Sequence, residues 1–93
     1  MNAKQPIQEA ERFYASSCPI CKERALEARP NTQIVEFECG GCGSFGIAAT
    51  VTLVIGKLPE PQRRMWLDQA RGQSLTGDIA IVDFVNEPNF GRV

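Results

Sequence analysis

The sequence predicts a small α+β domain in which a small antiparallel sheet and two flanking helices surround a cysteine-rich core. Three observations predict this class. The chain has 93 residues, 43% hydrophobic and 23% charged, which excludes wholesale disorder and suits one small domain. Its four cysteines form two separated pairs. The other segments show helical periodicity in some places and strand-like alternation in others.

The two cysteine pairs have the spacing of a metal site. Cys18 and Cys21 form one C-x2-C pair, Cys39 and Cys42 form another, and 17 residues lie between the pairs. Two thiolates three positions apart can point inward from one tight turn, so two such turns complete a tetrahedral zinc site. Because four thiolates fill the shell of Zn²⁺, we predict one structural ion and no catalytic metal. The spacing leaves open two disulfides, free thiols or iron as alternatives.

The residues around these pairs suit tight turns. Pro19 restricts the backbone of the first turn. Gly40, Gly41 and Gly43 allow positive φ values and close backbone approach in the second turn. Backbone N–H groups in such turns can donate hydrogen bonds to the sulfur atoms and offset their charge.

At these residues the chain resembles a zinc ribbon. The resemblance rests on both cysteine turns, or knuckles, and on a strand-like segment before the second; it covers about residues 16–72. The sequence CGGCGSFGI at 39–47 is similar to the second knuckle of small bacterial and phage zinc-ribbon modules, in which a helical pair follows. The resemblance implies a zinc-ribbon core over about 16–56, within a single domain spanning 1–93. The sequence departs from the family pattern at Lys22, where glycine is usual. The resemblance implies no particular activity.

The N-terminal half predicts three elements besides the first knuckle. Residues 6–15 have apolar side chains at helical spacing, which predicts an amphipathic helix over the core, or a docking helix for a partner. Residues 22–29 are a mixed-charge run that predicts a helical turn or a solvated loop. In residues 32–38, Val35 and Phe37 alternate with two glutamates, which predicts a half-buried strand leading into the second knuckle.

The segment after the second knuckle is ambiguous. Residues 45–55 are rich in Val, Ile and Thr, a composition that favours a strand, whereas the zinc-ribbon resemblance implies a helix from about Ala48. Residues 60–72 begin within Pro59-Glu60-Pro61 and end at a glycine, and they predict a helix. The candidates for its buried stripe are Met65, Trp66 and Ala70.

Residues 78–93 predict a last strand and a tail. The apolar run at 79–85 predicts the strand, and the residues after it predict an irregular tail in which Phe90 folds back on the body.

Composition limits the function classes. Ten Lys and Arg against eleven Asp and Glu give a net charge of -1, which argues against a protein held on nucleic acid mainly by phosphate contacts. Histidine is absent, which excludes Ser-His, Cys-His and His-metal chemistry. Residues 57–72 nevertheless carry a local charge of +2 and supply the candidate nucleic-acid or partner-binding residues. These are Lys57, Arg63, Arg64, Trp66 and Arg71. The structural alternative is that the basic residues form an ordinary solvated helix face and that the tryptophan belongs to the core.

The predicted location is cytoplasmic. Residues 1–6 lack the apolar segment of a signal peptide. The apolar-rich stretch at 45–55 is shorter than the roughly 20 residues that cross a bilayer, so we expect no membrane contact. A reducing cytosol favours metal ligation by the cysteines over disulfides.

These observations predict a non-catalytic zinc-binding protein that acts by protein–protein interaction as a small regulator, adaptor or inhibitor. An accessory factor of a nucleic-acid-handling machine is one concrete form of this role. The alternative is a nucleic-acid-binding zinc ribbon that uses the basic 57–71 segment. We expect no enzymatic activity and no small-molecule substrate, because a closed four-cysteine site offers no Lewis acid and acidic pairs on strands are typically solvated.

Overall fold

A computed structural model of the chain describes residues 13–74 and 77–89. In these residues the chain forms five strands, two α-helices and one turn of 3-10 helix. The strands are β1 (Tyr14–Ser17), β2 (Arg24–Ala28), β3 (Ile34–Cys39), β4 (Gly43–Ala48) and β5 (Ile81–Val82). The helices are α1 (Thr52–Ile55) and α2 (Glu60–Gln73), and the 3-10 turn is Phe84–Asn86. The broad α+β prediction is confirmed.

The strands form one mixed sheet in the order β1-β2-β3-β4-β5. The first four strands are an antiparallel meander, but β5 runs parallel to β4. The prediction of an antiparallel sheet is therefore wrong at this edge. The cause is the connection, since α1 and α2 carry the chain back along β4 before β5 begins beside Gly46.

The strand predicted before the second knuckle is confirmed as β3. Its alternate residues Val35, Phe37 and Cys39 are buried. Phe37 pairs with Phe45 of β4, and their rings stack with centroids 5.6 Å apart. This pair stands at the centre of the face on which the core is built.

The mixed-charge run at 22–29 contains strand β2, so its prediction as a helical turn or loop is wrong. The strand can bury the charge of Glu27 because three side chains satisfy its carboxylate. Tyr14 and Ser16 of β1 donate hydrogen bonds to its carboxylate at 2.8 and 2.7 Å, and Arg29 pairs with it at 2.8 Å. Burial opposes ionisation of Glu27, but these three partners lower its pKa below the usual value.

The helix predicted over 6–15 falls largely on residues 1–12, which lie outside the described residues. Its last part is wrong, because Tyr14 begins strand β1 and pairs with Glu27. Within the described parts of the chain, the two α-helices are instead α1 and α2. Phe90 and the end of the predicted tail also lie outside the described residues.

Both alternatives for residues 45–55 are right in part. Strand β4 continues to Ala48, and a turn then leads to the four-residue helix α1. The predicted helix over 60–72 is confirmed as α2, with Trp66 and Ala70 buried at 0% and 2% exposure. Met65 is 47% exposed, so its prediction as a core residue is wrong.

The strand predicted over 79–85 is shorter than expected. Only Ile81–Val82 pair with β4, and a 3-10 turn follows, capped by the side chain of Asp83. Buried Asn86 holds this corner together, because its Nδ2 donates to the carbonyl oxygen of Ile81 at 2.8 Å. Its Oδ1 accepts a hydrogen bond from the indole of Trp66 at 3.1 Å.

Candidate metal centre

The two knuckles lie at the same end of the sheet. The first knuckle (residues 18–22) joins β1 to β2, and the second (residues 39–43) joins β3 to β4. In an antiparallel meander, alternate hairpins turn at the same end, and the pairing of Ala25 with Cys39 sets the second knuckle beside the first. Strand pairing thus brings together cysteines that are far apart in the chain.

The four sulfur atoms have the separations of a tetrahedral metal site. They all lie within 4.8 Å of one another. Cys18 Sγ is 3.8 Å from Cys42 Sγ, and Cys21 Sγ is 3.5 Å from Cys39 Sγ. A tetrahedron with metal–sulfur bonds of about 2.3 Å has sulfur–sulfur edges of about 3.8 Å, whereas a disulfide is about 2.05 Å long. The four cysteines are therefore positioned to bind a single metal ion.

Three of the four ligands are buried, and Cys21 is partly exposed. Burial raises the pKa of the Cys18 thiol, and hydrogen bonds from the backbone of Cys21 and Ile20 offset part of this rise. Burial also raises the pKa of Cys42. For Cys39 burial acts in the same direction, but hydrogen bonds from the backbone of Cys42 and Gly41 and from the neighbouring thiols lower its pKa to about 7. Hydrogen bonding thus favours the ionised form of Cys39.

Both knuckles place the residue after their second cysteine in the left-handed region. Lys22 has φ 70° and Gly43 has φ 83°, so the two turns share a positive φ at the equivalent position. A Cβ on Gly43 would also lie 3.0 Å from Nη2 of Arg71. Of the three glycines of the second turn, only Gly43 has the positive φ expected from the sequence. The departure from glycine at Lys22 therefore marks the point where the first knuckle is strained.

Replacing Lys22 with glycine is expected to stabilise the domain by about 1 kcal/mol. A non-glycine residue in the left-handed region costs about 1–2 kcal/mol, and the extra freedom of glycine in the unfolded chain offsets part of the gain. Lys22→Ala is the matched control, since it removes the side chain and keeps the strain. Urea unfolding at a fixed zinc concentration measures both variants, and a midpoint for Lys22→Gly no higher than that of Lys22→Ala would contradict this prediction.

The basic 57–71 segment does not form one exposed face. Trp66 is fully buried, and its indole N–H donates to the carbonyl oxygen of Asp83 at 3.0 Å. Arg63 is 7% exposed. Arg64 is exposed and pairs with Glu60 at 2.7 Å. Lys57 is exposed as well, so the segment divides into inward-facing and outward-facing residues.

Two of the basic residues contact the knuckles. Arg63 donates to the carbonyl oxygen of Ile20 in the first knuckle, and Arg71 donates to that of Cys42 in the second. Sequence analysis did not find these contacts, although a signal was present. The signal is the helical period of α2. Arg63, Trp66, Ala70 and Arg71 occupy positions i, i+3, i+7 and i+8 and therefore share one stripe of the helix.

Comparison of the chain with protein-family models, curated proteins and solved structures finds no match. No match thus supports the zinc-ribbon resemblance, and what the structure shows is four cysteines that could hold a metal ion. Among the described residues, no helix has both the length and the apolar character needed to cross a membrane.

Proposed function

We propose that the four cysteines hold one structural Zn²⁺ in a zinc-ribbon core. The observation that carries this proposal is the cluster of four sulfur atoms within 4.8 Å of one another. Thiolates are soft ligands, and a tetrahedral set of four is typical of zinc, with iron as the other occupant. When bound, the ion supplies cross-linking of the two hairpins, which a core this small needs.

We further propose that the protein is non-catalytic and acts in the cytoplasm by binding another protein, as a regulator, adaptor or inhibitor. Four cysteine ligands fill the shell of the proposed ion and leave no position for a substrate. A scaffold without a reactive metal position can act through a surface that binds a partner.

The outer face of the sheet supports a protein partner. Four exposed residues form one row across the meander, opposite the face on which the core lies. This outer row is Ala15, Leu26, Glu38 and Ser44. Leu26 is 44% exposed and lines an open groove of about 510 Å³. An apolar side chain in a groove with charged walls is typical of a protein-binding surface.

Affinity capture with the zinc-loaded protein tests this function. We expect a protein partner that stays bound in about 1 M salt, where the Debye length is only about 3 Å. Leu26→Asp should release the partner. Leu53→Asp is the matched control, because Leu53 is 72% exposed on α1 and lies outside the outer row.

The nucleic-acid alternative gives a different result in the same experiment. It predicts capture of DNA or RNA that is lost as salt rises and in the variant Lys57→Glu plus Arg64→Glu, which changes two exposed basic residues. The burial of Trp66 and Arg63 weakens this alternative, since it removes the stacking ring and one of the charges from the surface.

A further inference from the structure

Helix α2 carries two arginines that each reach a different knuckle. Arg63, near the start of the helix, donates from Nε to the carbonyl oxygen of Ile20 at 2.6 Å. Arg71, in the last turn, donates from Nη2 to the carbonyl oxygen of Cys42. Eight residues of helix rise about 12 Å, so the two arginines are far enough apart along one helix to reach the two knuckles.

Among the described residues, no carboxylate forms an ion pair with Arg63. Its side chain is buried, and its second hydrogen bond, from Nη1, goes to the carbonyl oxygen of Leu58 at 2.5 Å. Across residues 13–74 and 77–89, ion pairs involve Arg29 and Arg64 but not Arg63. A buried guanidinium requires a source of negative charge. Four thiolates around one divalent ion carry a net charge of about -2, and the carbonyl that Arg63 binds is next to a ligand.

We propose that Arg63 and Arg71 are positioning residues of the metal site: they hold the two knuckles together and balance the negative charge of the thiolates. This inference rests on the proposed function, because it takes the site to hold a metal. The carbonyl of Ile20 belongs to the same peptide unit as the N–H of Cys21, so a positive charge at the oxygen makes that N–H a stronger donor toward sulfur.

The consequence is a reciprocal coupling between the helix and the metal. If docking of α2 raises metal affinity, metal binding must favour docking of α2 by the same factor. The basic residues that suggested a nucleic-acid surface then divide into two groups. Arg63 and Arg71 donate to the knuckles, while exposed Arg64 pairs with Glu60 and Lys57 is exposed.

Cobalt titration against a competing chelator tests the coupling. Arg63→Gln and Arg71→Gln should each weaken Co²⁺ binding by about 10- to 100-fold, the usual effect of losing a group that orients a metal ligand. Lys57→Gln is the control, since it removes one positive charge from an exposed residue of the same basic segment and should change the affinity by less than about twofold.

The absorption spectrum separates this role from a loss of stability. Loss of positive charge near a thiolate raises its lone pairs in energy, so the sulfur-to-cobalt charge-transfer bands of both glutamine variants should move to longer wavelength. Leu67→Ala weakens core packing but removes neither a charge nor a hydrogen bond to a knuckle, and its bands should stay in place. Arg63→Lys keeps the charge and should restore the position of the bands.

Two different outcomes of these titrations would contradict the inference and the proposed function. Unchanged affinity and bands in both glutamine variants, with a normal tetrathiolate spectrum for the native protein, would overturn the inference and leave the metal site standing. Absence of a tetrathiolate spectrum in the native protein would instead overturn the proposed function, and this inference with it. If Arg63→Gln does not fold, Arg71→Gln and Arg63→Lys decide the matter, because Arg71 is exposed.

Discussion

Cys39→Ser is expected to abolish metal binding and to unfold the domain. Structural zinc sites contribute about 10–16 kcal/mol of apparent binding free energy, which equals or exceeds the total stability of about 5–15 kcal/mol of a typical domain. Cys39 closes strand β3 and is 7% exposed in the core, so its loss removes both a ligand and a packed side chain. Circular dichroism and thermal melting of the variant measure the effect.

Chelation of the native protein should produce the same unfolded state. Ser44→Ala is the matched control for the cysteine variant, because Ser44 is an exposed residue on the strand that follows the second knuckle. It should bind one metal ion and melt as the native protein does. A cooperative melt at the native temperature after complete metal removal would contradict the role assigned to the site.

Trp66→Ala is expected to cost about 3–5 kcal/mol, the second largest effect. The indole is fully buried, packs 5.9 Å from the ring of Phe84, and donates to Asn86 Oδ1. Trp66→Phe keeps most of the apolar volume and loses the N–H donor, while both of its acceptors keep a backbone donor, so we expect about 0.5–1.5 kcal/mol from the lost hydrogen bonds. Urea unfolding of the zinc-loaded protein measures both values.

Met65→Ala is the control for the tryptophan variants, since Met65 is the neighbouring residue and is 47% exposed. Its effect should stay within about 0.5 kcal/mol. A stable Trp66→Ala variant that loses affinity for nucleic acid would contradict the burial of Trp66 and would favour a stacking role for it.

The metal centre was the most predictable part of the molecule. Each C-x2-C pair is a local turn, so its spacing alone predicts two inward-pointing sulfur atoms. Helix α2 was predictable for the same reason, since its prolines and the period of Trp66 and Ala70 lie within one segment. Each cysteine turn and helix α2 is encoded by residues a few positions apart, although strand pairing is needed to bring the two cysteine turns together.

The parts that sequence analysis missed depend on distant partners. Strand β2 was hidden in a charged run, because the burial of Glu27 requires Tyr14 and Ser16 of β1 to satisfy its carboxylate. The direction of β5 depends on the path of two helices, of which α1 has only four residues. The role of Arg63 depends on a carbonyl oxygen 43 positions away in the first knuckle.

X-ray absorption spectroscopy of the purified native protein tests the central claim most directly. We predict one zinc ion per chain, with a first shell of four sulfur atoms at about 2.3 Å and no nitrogen or oxygen. Protein free of bound metal, iron in place of zinc, or a zinc shell containing a nitrogen or oxygen ligand would contradict this account.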